Sequence, residues 1–100
     1  MYYGVHGKFS ATPGNGPALL HILLQAAEGL RHNPDCLIYL VSSQPGEPDA
    51  VWVSEVWASQ PAHQASLEDQ ATRELISQAR PLIAAISDRV ELDTQGGKGL

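Results

Sequence analysis

The 100-residue chain predicts an α+β fold: a split βαβ, ferredoxin-like antiparallel sheet with all of its helices on one face. Three observations carry that prediction. Hydrophobic periodicity changes along the chain in the order β-α-β-β-α-β. The segment between the second and third strand patterns, QPGEPD (44–49), is short enough for a hairpin. Those two strands are also apolar on both faces, so one face packs under the helices and the other needs a second cover.

Residues 2–11, YYGVHGKFSA, open the fold as a strand. Tyr3, Val5, Gly7 and Phe9 share one face, and Tyr2, Gly4, His6 and Lys8 the other. TPGNGP (12–17) is dense in turn formers, and Pro17 suits a first helical turn with Asn15 or Gly16 near the cap. From Ala18 to about Leu30 the period is helical. Leu20, Leu23, Leu24, Ala27 and Leu30 form a stripe that Leu19 and Ile22 widen. Pro34 disfavours a helical Asn33 and ends that element.

CLIYLVSS (36–43) reads as the second strand and Ala50 to Trp57 as the third. Ser59 before Gln60-Pro61-Ala62 marks a helix start. Ser66-Leu67-Glu68-Asp69 marks another, close to a capping box. Leu67, Ala71, Leu75, Ala79 and Leu82 then keep helical spacing, with a break at Arg80-Pro81. RVELDT (89–94) alternates as a last strand. One domain therefore spans 1–94, and QGGKGL (95–100) is a glycine-rich tail, either flexible or folded across a partner.

No residues remain to cover the second sheet face. The economical cover is the same sheet from a second copy, a two-fold homodimer packed sheet on sheet.

Composition narrows the function classes. With 43% apolar and 17% charged residues the chain is globular. The net charge of −5, with six Lys and Arg and no basic cluster, argues against nucleic acid and against an anionic membrane surface. Cys36 stands alone, so no internal disulfide or cysteine zinc site is expected. MYYGVHGKF lacks the apolar core of a signal peptide, and ALLHILLQAA is too short to span a bilayer. The expected location is the cytoplasm. The histidines at 6, 21, 32 and 63 contain no i, i+4 pair, and TPGNGP lacks the spacing of a phosphate loop. No metal triad and no phosphate-cradling loop is expected.

GVHGKFSATPG (4–14), the run from Pro34 to Leu67, ARPLIAAISDRVE (79–91) and the closing GGKGL resemble the antibiotic biosynthesis monooxygenase family. The core EVW-x-S-x-x-A-H, Glu55 to His63, is the most specific part. The resemblance implies a dimeric α+β barrel. It also implies a small homodimeric monooxygenase that oxidises a quinol or anthrone-like aromatic with O2 and needs no metal, haem or flavin. Other members degrade haem, but the histidine they need in the third helical segment is missing between Leu67 and Ile86. A non-catalytic dimer that binds a small aromatic or signalling compound is the alternative, and a purely structural dimer is a third option.

Trp57 ends the third strand and matches the tryptophan that lines the pocket in aromatic-oxidising relatives. Its indole offers an apolar wall and one N–H donor; the plainer alternative is a core tryptophan at the sheet edge. His63 falls six residues later, in the first turn of a helix, where an imidazole can take a proton from a phenol or an activated carbon. A solvated histidine is the alternative there. Arg80 corresponds to an arginine that holds an oxyanion in some relatives, against a plain surface ion pair. His6 and Tyr39 complete the substrate-binding candidates if the strand registers bring them to the same pocket. Glu55 leaves its strand on the face of Trp57 and is expected to brace the dimer seam against Arg89 or Arg80. His21 and His32 read as solvated.

Overall fold

The computed structural model describes residues 1–100. Four strands and three helices follow in the order β1 (Tyr2–Ala11), α1 (Gly16–Gly29), β2 (Cys36–Gln44), β3 (Glu47–Trp57), α2 (Gln60–Ser66), α3 (Gln70–Ala79) and β4 (Ile83–Thr94). The sheet order is β2-β3-β1-β4, and every neighbouring pair is antiparallel. β3 lies between β2 and β1, which is the split βαβ arrangement read from the sequence.

Local chemistry sets the element ends. A two-residue connection, Pro45-Gly46, joins β2 to β3, with Gly46 at φ +82°, a value glycine adopts without a Cβ penalty. The Ser59 side chain caps α2 by accepting from the Ala62 N–H at 3.2 Å. Asp69, rather than Ser66, caps α3 through the Thr72 N–H at 3.4 Å. Ser66 instead closes α2, its hydroxyl donating to the His63 carbonyl at 2.6 Å.

The start of α1 is capped from a distance. Asn15 makes no side-chain cap bond. The Asp49 carboxylate on β3 accepts from the Gly16 N–H at 2.9 Å and the Gly14 N–H at 3.1 Å. It satisfies two otherwise free donors and places a negative charge at the helix N-terminus. A β-carbon on Gly16 would run into the Pro48 carbonyl oxygen. Gly16→Ala is therefore expected to destabilise the fold by about 1–3 kcal/mol, read as a lower denaturation midpoint at unchanged m-value. A wild-type midpoint in that variant would mean the approach is loose.

The last strand begins at Ile83, six residues before the start at Arg89 that alternation predicts. Pro81 sits in a short 3₁₀ turn (80–82) that ends α3. The apolar run after it pairs with the far end of β1: Ile86 lies opposite Phe9 and Ile83 opposite Ala11. Two register shifts interrupt this ladder, one between His6 and Lys8. There Asp88 and Arg89 both face Gly7, and Asp88 takes φ +51°, a β-bulge that breaks the period-two signal.

The core lies between the sheet and the helices. Leu19 and Leu23 of α1 meet Val51 and Val53 of β3, with Ala11 and Ala79 at the edges. Only 13 of 100 residues are buried, few for a chain of this length, because the opposite sheet face has no layer over it. Leu40 is 58% exposed there and Leu92 51%. Strand alternation and register add Ile38, Trp52, Val56 and Val90 to the same face. No helix is long and apolar enough to cross a membrane.

Candidate active site

Register decides which side chains can meet. Tyr3 lies opposite Trp57, Val5 opposite Glu55 and Gly7 opposite Val53 across β1–β3, while Tyr39 lies opposite Glu55 across β2–β3. All of these point from the sheet toward the helices. All of these except Tyr3 line one cavity of about 360 Å³ together with His63 of α2, Ile22 and Leu23 of α1, Leu75 and Ile76 of α3, and Ile86 and Arg89 of β4. Fifteen of its 22 lining residues are hydrophobic, so the few polar groups stand out. The size fits a small organic ligand.

Trp57 is 1% exposed and its Nε1–H donates to Glu55 Oε1 at 3.0 Å. The same carboxylate oxygen lies 3.6 Å from His63 Nε2. The imidazole sits between two aromatic rings, with centroids at 5.3 Å from Tyr3 and 5.5 Å, edge-on, from Trp57. Both partners are largely shielded: the His63 side chain is 12% exposed and that of Glu55 14%. The Ser59 cap fixes the first turn of α2, so His63 is presented over the end of β3 by a short, defined helix.

Burial pushes the Glu55 carboxyl above the usual range, while the Trp57 hydrogen bond, His63 and Arg89 pull it partly back. Burial likewise raises the Tyr39 phenol, helped by the negative charges of Glu55 and Cys36. It raises the Cys36 thiol to about 11, with Glu55 adding to the effect. Cys36 is therefore a poor nucleophile at neutral pH. No three His, Cys, Asp or Glu side chains cluster as metal ligands would.

Of the residues singled out in the sequence, Trp57, His63, Tyr39 and Arg80 line this cavity. Arg80 does so from the 3₁₀ turn and is exposed. His6 does not. It is on the open face of the sheet, where its Nδ1 lies 2.7 Å from Ser54 Oγ and its ring stacks on Trp52 at 5.3 Å. Alternation explains this placement, since His6 follows Val5 and must leave the strand on the other side. Glu55 also departs from expectation. It lies under the helices rather than on the open face, so it braces no sheet-on-sheet seam. Arg89 bonds Glu91 at 3.2 Å instead.

Tyr3, whose ring meets His63, escapes motif reasoning, and Arg89, expected only as a brace for Glu55 at the seam, lines the cavity instead. For Tyr3 the signal was present, because it shares a face with Val5. For Arg89 the bulge hides it.

A raised carboxyl has a consequence for stability. The native state holds the Glu55 proton more tightly than the unfolded chain, so stability falls as pH rises from the ordinary carboxylate range through the native value. Glu55→Gln keeps an acceptor for Trp57 and removes that loss. Its Tm should exceed wild type at pH 7–8 and approach it near pH 4. A lower Tm at neutral pH would show that the carboxylate stabilises the fold.

A ferredoxin-like sheet roofed by helices over an apolar cavity, with a tryptophan, a histidine and a carboxylate converging on it, defines a class of small α+β proteins. Within it the chain belongs to the antibiotic biosynthesis monooxygenase family, whose model matches residues 2–78. A Chloroflexus aurantiacus protein assigned to the same family is 43% identical, covering 97% of this chain and 96% of that one, with a TM-score of 0.88. A Caulobacter crescentus protein so assigned is 22% identical over 95% of this chain and 91% of its own, TM-score 0.84. SnoaB, a cofactor-independent oxygenase from Streptomyces nogalater, shares the fold at 10% identity, covering 97% and 96% of the two chains with a TM-score of 0.80. No curated protein matches the sequence significantly.

Proposed function

We propose that the protein is a cytoplasmic, homodimeric, cofactor-independent monooxygenase that oxidises a quinol or anthrone-like aromatic with O2. The observation that carries this reading is the convergence of His63, Trp57 and Glu55 on one apolar cavity. A flat aromatic lies against Trp57 and the aliphatic walls, which exclude water and fix its orientation. His63 takes a proton from a phenol O–H or an activated C–H, and the bond's electron pair stays on the substrate. That anion gives one electron to O2, and the radical pair recombines at carbon as a peroxide. Where that carbon bears a hydrogen, protonation and loss of water leave a carbonyl. One oxygen atom enters the product and the other leaves as water, so the substrate supplies all the reducing power. Family membership and the SnoaB-like fold support the reaction class. Arg80, at the cavity edge, is the group to steady a developing oxyanion; Tyr39 and Trp57 are the ring contacts.

The test is O2 uptake by chelator-treated protein across a panel of quinols and anthrones. Uptake well above buffer, unchanged by chelation, is the expected result. Uptake at the buffer rate with every compound would sink the oxygenase reading for these substrates and leave a dimer that binds its ligand without turning it over.

A further inference from the structure

Glu55 has no part in the proton transfer described above, yet it is the one acidic side chain lining the cavity. It sits on a central strand under the helices, where a carboxylate is costly unless something needs it. Four titratable or charged groups face it from neighbouring elements: Tyr39 and Cys36 from β2, His63 from α2 and Arg89 from β4. None neutralises it. Arg89 is drawn off to Glu91, and Tyr39 and Cys36 are neutral acids whose own ionisation Glu55 opposes. That leaves the Trp57 indole, bonded at 3.0 Å, and His63 Nε2 at 3.6 Å.

A gap of 3.6 Å is too long for an N–H···O bond, but it is one that closes when the imidazole becomes charged, as catalytic contacts commonly do. No fully buried side-chain nitrogen or oxygen lacks a partner. His63 Nδ1, which bonds nothing in the chain, is therefore reachable by solvent or ligand.

We propose that Glu55 is a positioning residue: it orients His63 through Nε2, leaves Nδ1 to accept the substrate's proton, and stabilises the imidazolium so formed. The arrangement is a carboxylate–imidazole pair of the kind that orients bases in unrelated enzymes. In the transfer the substrate O–H or C–H bond breaks and the N–H bond at Nδ1 forms. The electron pair stays on the substrate, and the new positive charge faces the carboxylate. Trp57 is the second hold on Glu55, fixing the oxygen that His63 meets. The pairing with His63 stands on geometry alone, and only its catalytic use rests on the oxygenase reading above.

The first experiment needs no substrate. The Glu55 carboxyl is titrated by carbon-13 NMR in wild type, His63→Gln and Trp57→Phe. If the pair is coupled, His63→Gln moves the Glu55 midpoint upward by at least about half a pH unit. Trp57→Phe also moves it upward, through the lost hydrogen bond. A midpoint that moves in Trp57→Phe and stays put in His63→Gln would overturn the proposal, since Glu55 would then only hold the indole.

The second experiment uses a quinol that wild type oxidises. Glu55→Gln should lower kcat about 10–100-fold and shift the acid limb of the kcat/KM profile about one unit lower. KM should change little, and Glu55→Asp should recover part of the rate. An unmoved acid limb with kcat within about twofold of wild type would overturn the catalytic role. Failure of every substrate bears on the oxygenase reading, and the titration still decides the pair.

Discussion

His63→Ala is expected to lower the initial rate of O2 uptake roughly 10²-fold or more with any quinol that wild type oxidises. The position leaves little room for a substitute. The imidazole occupies a slot between Tyr3 and Trp57, and the other cavity groups that could accept a proton are ill suited. Burial keeps the Tyr39 phenol protonated at neutral pH, and Glu55 is already bonded to the indole. Water reaching the emptied slot would not reproduce an oriented base. The loss should fall on kcat rather than KM, because the aromatic is held by Trp57 and the apolar walls, which the substitution leaves in place. A variant that keeps a tenth or more of the wild-type rate would remove His63 from the proton-transfer step. Circular dichroism and the thermal midpoint serve as fold controls, since α2 is capped by Ser59 independently of the ring.

The second large effect concerns assembly. Leu40→Asp combined with Leu92→Asp should convert a dimer into a monomer, read by light scattering on a sizing column. Leu40 and Leu92 are 58% and 51% exposed on the uncovered sheet face, at opposite edges of the sheet on β2 and β4. Burying one such side chain contributes roughly 1.5–3 kcal/mol, and a carboxylate put in its place must be desolvated as well. In a two-fold arrangement each substitution occurs twice. Losing about 3 kcal/mol already weakens association more than 100-fold, so the double variant should be monomeric at micromolar concentration. The cavity is on the other side of the sheet, so the monomer should keep its secondary structure. A wild-type monomer, or a variant still dimeric, would refute sheet-on-sheet association.

Much of the fold was legible because β1 and β3 alternate without interruption. Tyr3, Val5 and Phe9 on one strand, and Val51, Val53, Glu55 and Trp57 on the other, announce a single face that the register then joins. The helix starts were legible as capping chemistry at Ser59. One cap went unread because its donors and acceptor are far apart: Asp49 serves α1 from more than thirty residues away. His63 and Trp57 were legible as a pair through the six-residue spacing. What alternation alone does not state is which face the helices choose. That is a matter of long-range packing, and it is why His6 and Glu55 sit on the sides opposite to those expected. The last strand was hidden for another reason. Ile83 and Ile86 continue the helical spacing of Leu75, Ala79 and Leu82, and only Pro81 marks the change.

The bulge opposite Gly7 bears on how this sequence can vary. Asp88 and Arg89 together face one residue of β1, and beyond them Val90 and Leu92 fall on the uncovered face while Glu91 and Asp93 turn toward the helices. At this bulge β4 carries one residue more than regular pairing needs. Loss of Asp88 would leave every pairing from Val90 to Thr94 in place and would remove a non-glycine residue from the left-handed region. A single-residue loss further along, at Leu92 for example, has no such slack and would turn the residues after it over to the wrong side. Gene copies of this family member that differ in length within β4 should therefore place their gaps at Asp88 or at the second register shift, beside Ala84.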